Sequence, residues 1–166
     1  MTREAYIRMT RAARNAVARL PGAEKLLRLP TLVCAGAYML ALLHLMLARD
    51  IRLVRALLVP AACFILCTIL RPLIGRERPY DRFGAEPVGR YRRGKGRSMP
   101  SRHTASAAAI ALAAAYAFSS PVITAAMALL CLLIAALRVL CGQHYISDVL
   151  AALALSLVVS LIGYSI

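Results

Sequence analysis

From Thr104 to Leu137 the chain runs for 34 residues without one Asp, Glu, Lys or Arg. A helix needs about 20 apolar residues to cross a bilayer, so this run is too long for one crossing and suits two. Ser119-Ser120-Pro121 supplies the break, which predicts spans at about 103–118 and 121–139. A second charge-free run, Leu29–Ala48, has 20 residues and predicts another span. A third, Ala56–Leu70, has only 15, so its span is drawn at about 54–70 with Arg55 and Arg71 snorkelling at its ends. A last span follows at about 147–166, with 18 uncharged residues after Asp148. The predicted fold is all-α: a polytopic transmembrane bundle of about five spans over residues 29–166, with a polar loop at 71–102. The composition agrees, at 61% hydrophobic and 17% charged, against about 45–50% and about 25% in soluble domains.

The chain carries 21 Lys and Arg against 7 Asp and Glu, a formal net charge of +14. Such an excess calls for anionic partners. The long apolar runs exclude a soluble nucleic-acid binder and leave anionic membrane lipids and a phosphorylated substrate. Residues 1–28 hold seven of the basic residues, and Tyr6, Met9, Ala13, Ala16, Val17 and Leu20 recur there at helical spacing. The segment reads as an amphipathic helix on the membrane surface, broken at Pro21-Gly22. No cleavable signal peptide is evident. Cys34, Cys63, Cys67, Cys131 and Cys141 lie in or beside apolar runs, and the i, i+4 pair Cys63 and Cys67 has no acid or histidine near it in sequence to complete a ligand set. They read as small packing residues, with no disulfide and no metal.

Polar groups at the ends of spans are where chemistry is expected. His44 sits alone in the first span and reads as structural. Three richer clusters end three spans: Arg71-x6-Arg78-Pro79, Pro100-Ser101-Arg102-His103 and Arg138-x5-His144-x3-Asp148. Because the spans alternate in direction, all three fall on one membrane face. Several arginines suit a phosphate dianion, since they do not deprotonate. A helix starting near Ser101 offers free backbone N–H groups to the same anion. Asp148 lies one turn after His144, so its carboxylate can accept from one ring nitrogen and leave the other as a nucleophile. His103 remains for proton transfer to a leaving oxygen.

These clusters resemble the signature of the type 2 phosphatidic acid phosphatase family, which shares its site design with vanadium haloperoxidases. The family pattern is Lys-x6-Arg-Pro, Pro-Ser-Gly-His and Ser-Arg-x5-His-x3-Asp, and the match covers residues 71–148 in order and spacing. Three departures stand out: Arg71 replaces the lysine, Arg102 the glycine, and Leu137 the serine. The resemblance implies that His144 is a nucleophile forming a phosphohistidine, oriented by Asp148, while His103 protonates the leaving alkoxide and later activates water. It implies that Arg71, Arg78, Ser101, Arg102 (through its backbone) and Arg138 hold the phosphoryl oxygens, with no cofactor and no metal. Glu77, Asp81 and Glu86 are scattered through an arginine-rich loop and form no Mg²⁺ site.

The expected function is hydrolysis of a lipid phosphate: phosphatidate, phosphatidylglycerophosphate or a polyprenyl phosphate or diphosphate. The alternatives are phosphotransfer to another acceptor, or a non-catalytic lipid-binding protein or transporter using the same basic clusters. Arg90, Arg92, Arg93, Lys95 and Arg97 lie outside the matched motifs and are expected to meet headgroups or the membrane surface. The chain is expected in the cell membrane, where an oligomer is open. Five spans put 18 basic residues on the face of the clusters and three on the other. The positive-inside rule then favours the cytoplasmic side for the site.

Overall fold

The computed structural model describes residues 2–19, 22–89, 91 and 97–165, apart from the side chains of Ala23 and Glu24. These residues form eight helices and no strand. They are α1 (Arg3–Ala18), α2 (Ala23–Leu26), α3 (Leu29–Leu47), α4 (Arg52–Ile74), α5 (Pro79–Phe83), α6 (Arg102–Phe118), α7 (Pro121–Leu140) and α8 (Ile146–Ser165).

Local chemistry sets most of the boundaries. Thr2 caps α1, its hydroxyl accepting the Ala5 amide at 3.3 Å. Prolines stand in the first turns of α3, α5 and α7, where a missing N–H costs nothing. Gly75 ends α4 in the left-handed region (φ +62°), a conformation open to glycine without strain. The long charge-free run does break at Ser119-Ser120-Pro121. Helix α4 exceeds its expected span of about 54–70 at both ends, adding Arg52 and Leu53 at its start and Arg71 to Ile74 at its end.

Among the described residues, four helical segments, built on α3, α4, α7 and α8, are long and apolar enough to cross a membrane. Their outer faces expose Leu40, Leu47, Leu58, Leu73, Leu129 and Leu161. An apolar surface of that extent belongs against lipid. The protein is a polytopic helical membrane bundle. Helix α6 has 17 residues and packs against α3, α4, α7 and α8 at once. Its last turn meets Arg52 at the start of α4, whose guanidinium donates to the Tyr116 carbonyl at 3.1 Å. Its first turn shares a cavity with Arg71, near the end of α4. Helix α6 therefore runs the full height of the bundle, antiparallel to α4.

Alanine makes that central position possible. Ala105 and Ala109 are fully buried and meet Cys63, Cys67 and Ala152, so neighbouring backbones approach closely. Ser156 fastens α8 to α6 by donating to the Ala105 carbonyl at 2.9 Å. Interhelical bonds of this kind average about 0.6 kcal/mol in membranes. All five cysteines are buried and unpaired. His44 stacks on Phe118, ring centroids 5.0 Å apart.

The apolar face of α1 does not all go to lipid. Tyr6 is completely buried, and its hydroxyl donates to the Gly142 carbonyl at 3.0 Å, while Thr10 is buried beside it. Gly142 takes φ +72°, and a Cβ there would stand 2.8 Å from the Tyr6 hydroxyl oxygen. So α1 docks on the loop between α7 and α8. The expected break at Pro21 lies outside the described residues, as does Leu20 at the end of the predicted apolar face.

Candidate active site

The polar ends of α4, α6 and α7 and the loop before α8 surround one cavity of about 1030 Å³. Helix α4 contributes Arg71, which is buried although charged; its guanidinium donates to the Arg97 carbonyl. Arg78 comes from the N-cap of α5, with its guanidinium over the Tyr80 ring at 5.6 Å. Arg102 and His103 come from the first turn of α6, where amide N–H groups have no carbonyl partner one turn back. Arg138 ends α7 and donates to the Gln143 side chain at 2.8 Å. Gln143 in turn donates to the Val88 carbonyl at 2.9 Å, lacing the loop after α5 to the loop before α8.

His144 is 2% exposed and lines the cavity. Its Nδ1 lies 3.4 Å from Asp148 Oδ2, one helical turn on. That is longer than a formed N–H···O bond, so the contact orients the ring electrostatically. Burial pulls the His144 imidazole below its ordinary range; Asp148 opposes this, and the Arg78 charge adds to it. Asp148 is wholly buried and stands behind the cavity rather than in its wall. His103 is more open, in the wall itself.

Ser101 sits differently from its sequence-stated neighbours, because all its polar groups face inward to the protein. Its amide donates to the Asp148 carbonyl at 3.1 Å, and its hydroxyl accepts from Thr104 at 3.0 Å. It is fully buried and does not line the cavity. Here it joins α6 to α8 instead of facing the anion space. Of the surplus basic residues, Arg97 lines the cavity, while Arg90, Arg92, Arg93 and Lys95 lie outside the described residues.

Two side chains that motif spacing does not name complete the surroundings of Asp148. Ser98 donates its hydroxyl to Oδ2, and Arg76 pairs with Oδ1 at 2.9 Å. Both belong to the polar segment 71–102, but their partner is 50 and 72 residues away. The only sequence signal is the density of cations around Arg78.

The cavity wall thus holds six arginines, two histidines and no carboxylate among the described residues. An anion with several oxygens fits that charge, and a neutral imidazole with a buried carboxylate behind it is suited to nucleophilic attack. Residues 52–166 match the family model described as the PAP2 superfamily. The chain belongs to that superfamily. The matched stretch spans the three motif positions from Arg71 to Asp148, and the protein is a PAP2-family membrane phosphatase. Among solved structures, its fold is similar to that of a transmembrane PAP2-type phosphatidylglycerolphosphate phosphatase from Bacillus subtilis. The TM-score is 0.70 at 21% identity, over 98% of this chain and 84% of that one. A comparison with curated proteins returned no match.

Proposed function

We propose that this PAP2 protein hydrolyses the phosphomonoester or diphosphate of a membrane lipid through a phosphohistidine. The observation that carries the reading is the pairing of His144 and His103 in one arginine-walled cavity, with Asp148 buried behind the first.

In the first step the lone pair of His144 Nε2 attacks phosphorus. The bond from phosphorus to the leaving oxygen breaks, and its electron pair goes to that oxygen, which takes a proton from His103. Asp148 stabilises the charge that develops on the His144 ring. In the second step neutral His103 accepts a proton from water as the water oxygen attacks phosphorus. The P–N bond breaks, its electrons return to Nε2, and inorganic phosphate leaves. Arg71, Arg78, Arg102 and Arg138 offset the oxygen charge throughout, as fixed donors in a site partly shielded from water.

A lipid substrate is favoured by the cavity's composition. Leu27 and Leu32 line it beside Arg28, so one side of the anion space is apolar. Phosphatidate, phosphatidylglycerophosphate and polyprenyl phosphates or diphosphates share the required chemistry. The distribution of basic residues along the sequence supports a cytoplasmic site.

Phosphate release from a panel of these lipids in detergent, with and without EDTA, tests the proposal. Turnover that persists in EDTA and is inhibited by vanadate supports it, because vanadate can take the five-coordinate shape of the phosphoryl group in flight. Activity abolished by EDTA and restored by Mg²⁺ would overturn the metal-free mechanism.

A further inference from the structure

The carboxylate of Asp148 gathers partners from several chain segments. Arg76 Nη1 donates to Oδ1 at 2.9 Å, Ser98 donates to Oδ2, and the Tyr145 amide donates to Oδ2 at 3.0 Å. His144 Nδ1 approaches the same Oδ2. Arg76 Nη1 also reaches the Ser147 hydroxyl at 2.7 Å and Met99 Sδ at 3.5 Å, and the guanidinium lies by the Tyr145 ring, whose centroid is 4.4 Å from Cζ. Arg76 does not line the cavity.

A buried carboxylate beside a nucleophilic histidine can fail in two ways. It can rotate away from Nδ1, or it can draw a proton onto the ring and hold the histidine as an unreactive imidazolium. A cation fixed on the far oxygen opposes both, by anchoring the carboxylate plane and by offsetting the negative charge felt at the ring. Arg71 and Arg78 also act on His144, as does His103 across the cavity. Those groups line the ligand space, where a bound phosphate offsets their charge. Arg76 lies behind the wall and keeps its partner in either state.

We propose that Arg76 is a positioning residue of the hydrolytic site: bound to Asp148 Oδ1, it holds Oδ2 toward His144 and keeps the imidazole neutral and ready to attack. This rests on the reading of His144 as the nucleophile. It assigns a role to an arginine at an unspecified position of the first matched motif.

The test compares wild type, Arg76→Gln, Arg76→Lys, Asp148→Asn and the double variant Arg76→Gln/Asp148→Asn, with phosphatidate in detergent micelles as the probe, across pH. Arg76→Gln is expected to lower kcat by about tenfold or more with KM within about threefold. Loss of the cation favours the imidazolium, so the acid limb of kcat/KM should move to higher pH. Arg76→Lys should keep the wild-type limb and recover part of the rate. In the Asp148→Asn background, Arg76→Gln should cost less than about twofold, because its route of action is gone. Equal losses in both backgrounds, or a raised KM with kcat intact, would overturn the proposal. If Arg76→Gln does not purify as a monodisperse species, Arg76→Lys decides: reduced kcat with an unmoved limb supports the role, and wild-type kinetics or a raised KM refutes it. Failure of the parent reading looks different, since Asp148→Asn alone would then turn over at the wild-type rate.

Discussion

At the end of the bundle away from the cavity, Arg52 satisfies itself within the protein. It meets Asp50 at 2.7 Å, the Tyr116 carbonyl at 3.1 Å and the Ser119 hydroxyl at 3.5 Å. At the cavity end, Arg71, Arg78, Arg102 and Arg138 form no salt bridge among the described residues, and the wall they share contains no acid. The polypeptide is equally able to pair arginines at both ends, since Arg76 finds Asp148 close to the cavity. The difference teaches how to separate structural from functional charge here. A structural arginine brings its counter-ion from the chain, whereas the cavity arginines face a wall without one, as the proposed anionic substrate would require.

The comparison can be broken most severely at the nucleophile. His144→Ala should lower kcat by about 10⁴-fold or more while the protein remains folded and monodisperse, because fixed donors alone cannot replace the attacking group. Near wild-type phosphate release from that variant would remove the chemistry from this end of the bundle.

The two classes of arginine should then separate. Arg78→Ala and Arg138→Ala are each expected to reduce kcat/KM by about 10²–10³-fold, the usual loss when one donor to a developing oxyanion is removed. Arg52→Ala should leave kcat/KM within about twofold and act on the thermal midpoint instead, modestly, because the pair is partly exposed. Matched losses of activity at both ends would erase the distinction.

The smallest expected effect is in pH. His144 is held below its ordinary value by burial and by nearby arginine charge. The neutral nucleophile therefore persists on the acid side, and the acid limb of kcat/KM should fall below pH about 6.5, the ordinary imidazole value. Stability carries the same sign. A histidine whose folded value is depressed binds its proton more readily when unfolded, so acidification through about pH 6.5 should weaken the fold. A rate profile whose acid limb sits above that value would contradict the assignment.

Much of this architecture was legible because the bilayer imposes a simple code. Charge-free length located the helices to within a few residues, and Ser119-Ser120-Pro121 gave the break between α6 and α7. The code is blind to what an apolar face touches. Tyr6 belongs to a stripe that suits lipid equally well, yet it packs against Gly142, because nothing in a hydrophobic period distinguishes acyl chain from protein. Motif spacing named four of the six cavity arginines and both histidines, since each lies a fixed number of residues from a span end, but not Arg28 or Arg97. It could not name Arg76 or Ser98, whose meaning depends on a carboxylate that only the folded bundle brings to them. Nor could it show that the groups of Ser101 turn inward, because a serine at a helix start has the same spacing whichever way it faces.

Helix α6 obeys a different rule of substitution from its neighbours. The outward faces of α3, α4, α7 and α8 must remain greasy, yet they accept side chains of many shapes because lipid is fluid. Helix α6 is enclosed by those four helices, and its solvent is the rest of the protein. Its alanines set the distance between backbones, so at Ala105 or Ala109 a single added methylene has nowhere to go, whatever its hydropathy. A hydroxyl that fits, as Ser156 shows on the facing helix, finds a carbonyl to meet. Volume, not polarity, is what this central helix holds constant, and the spacing of the cavity groups at its first turn is inherited from that constraint.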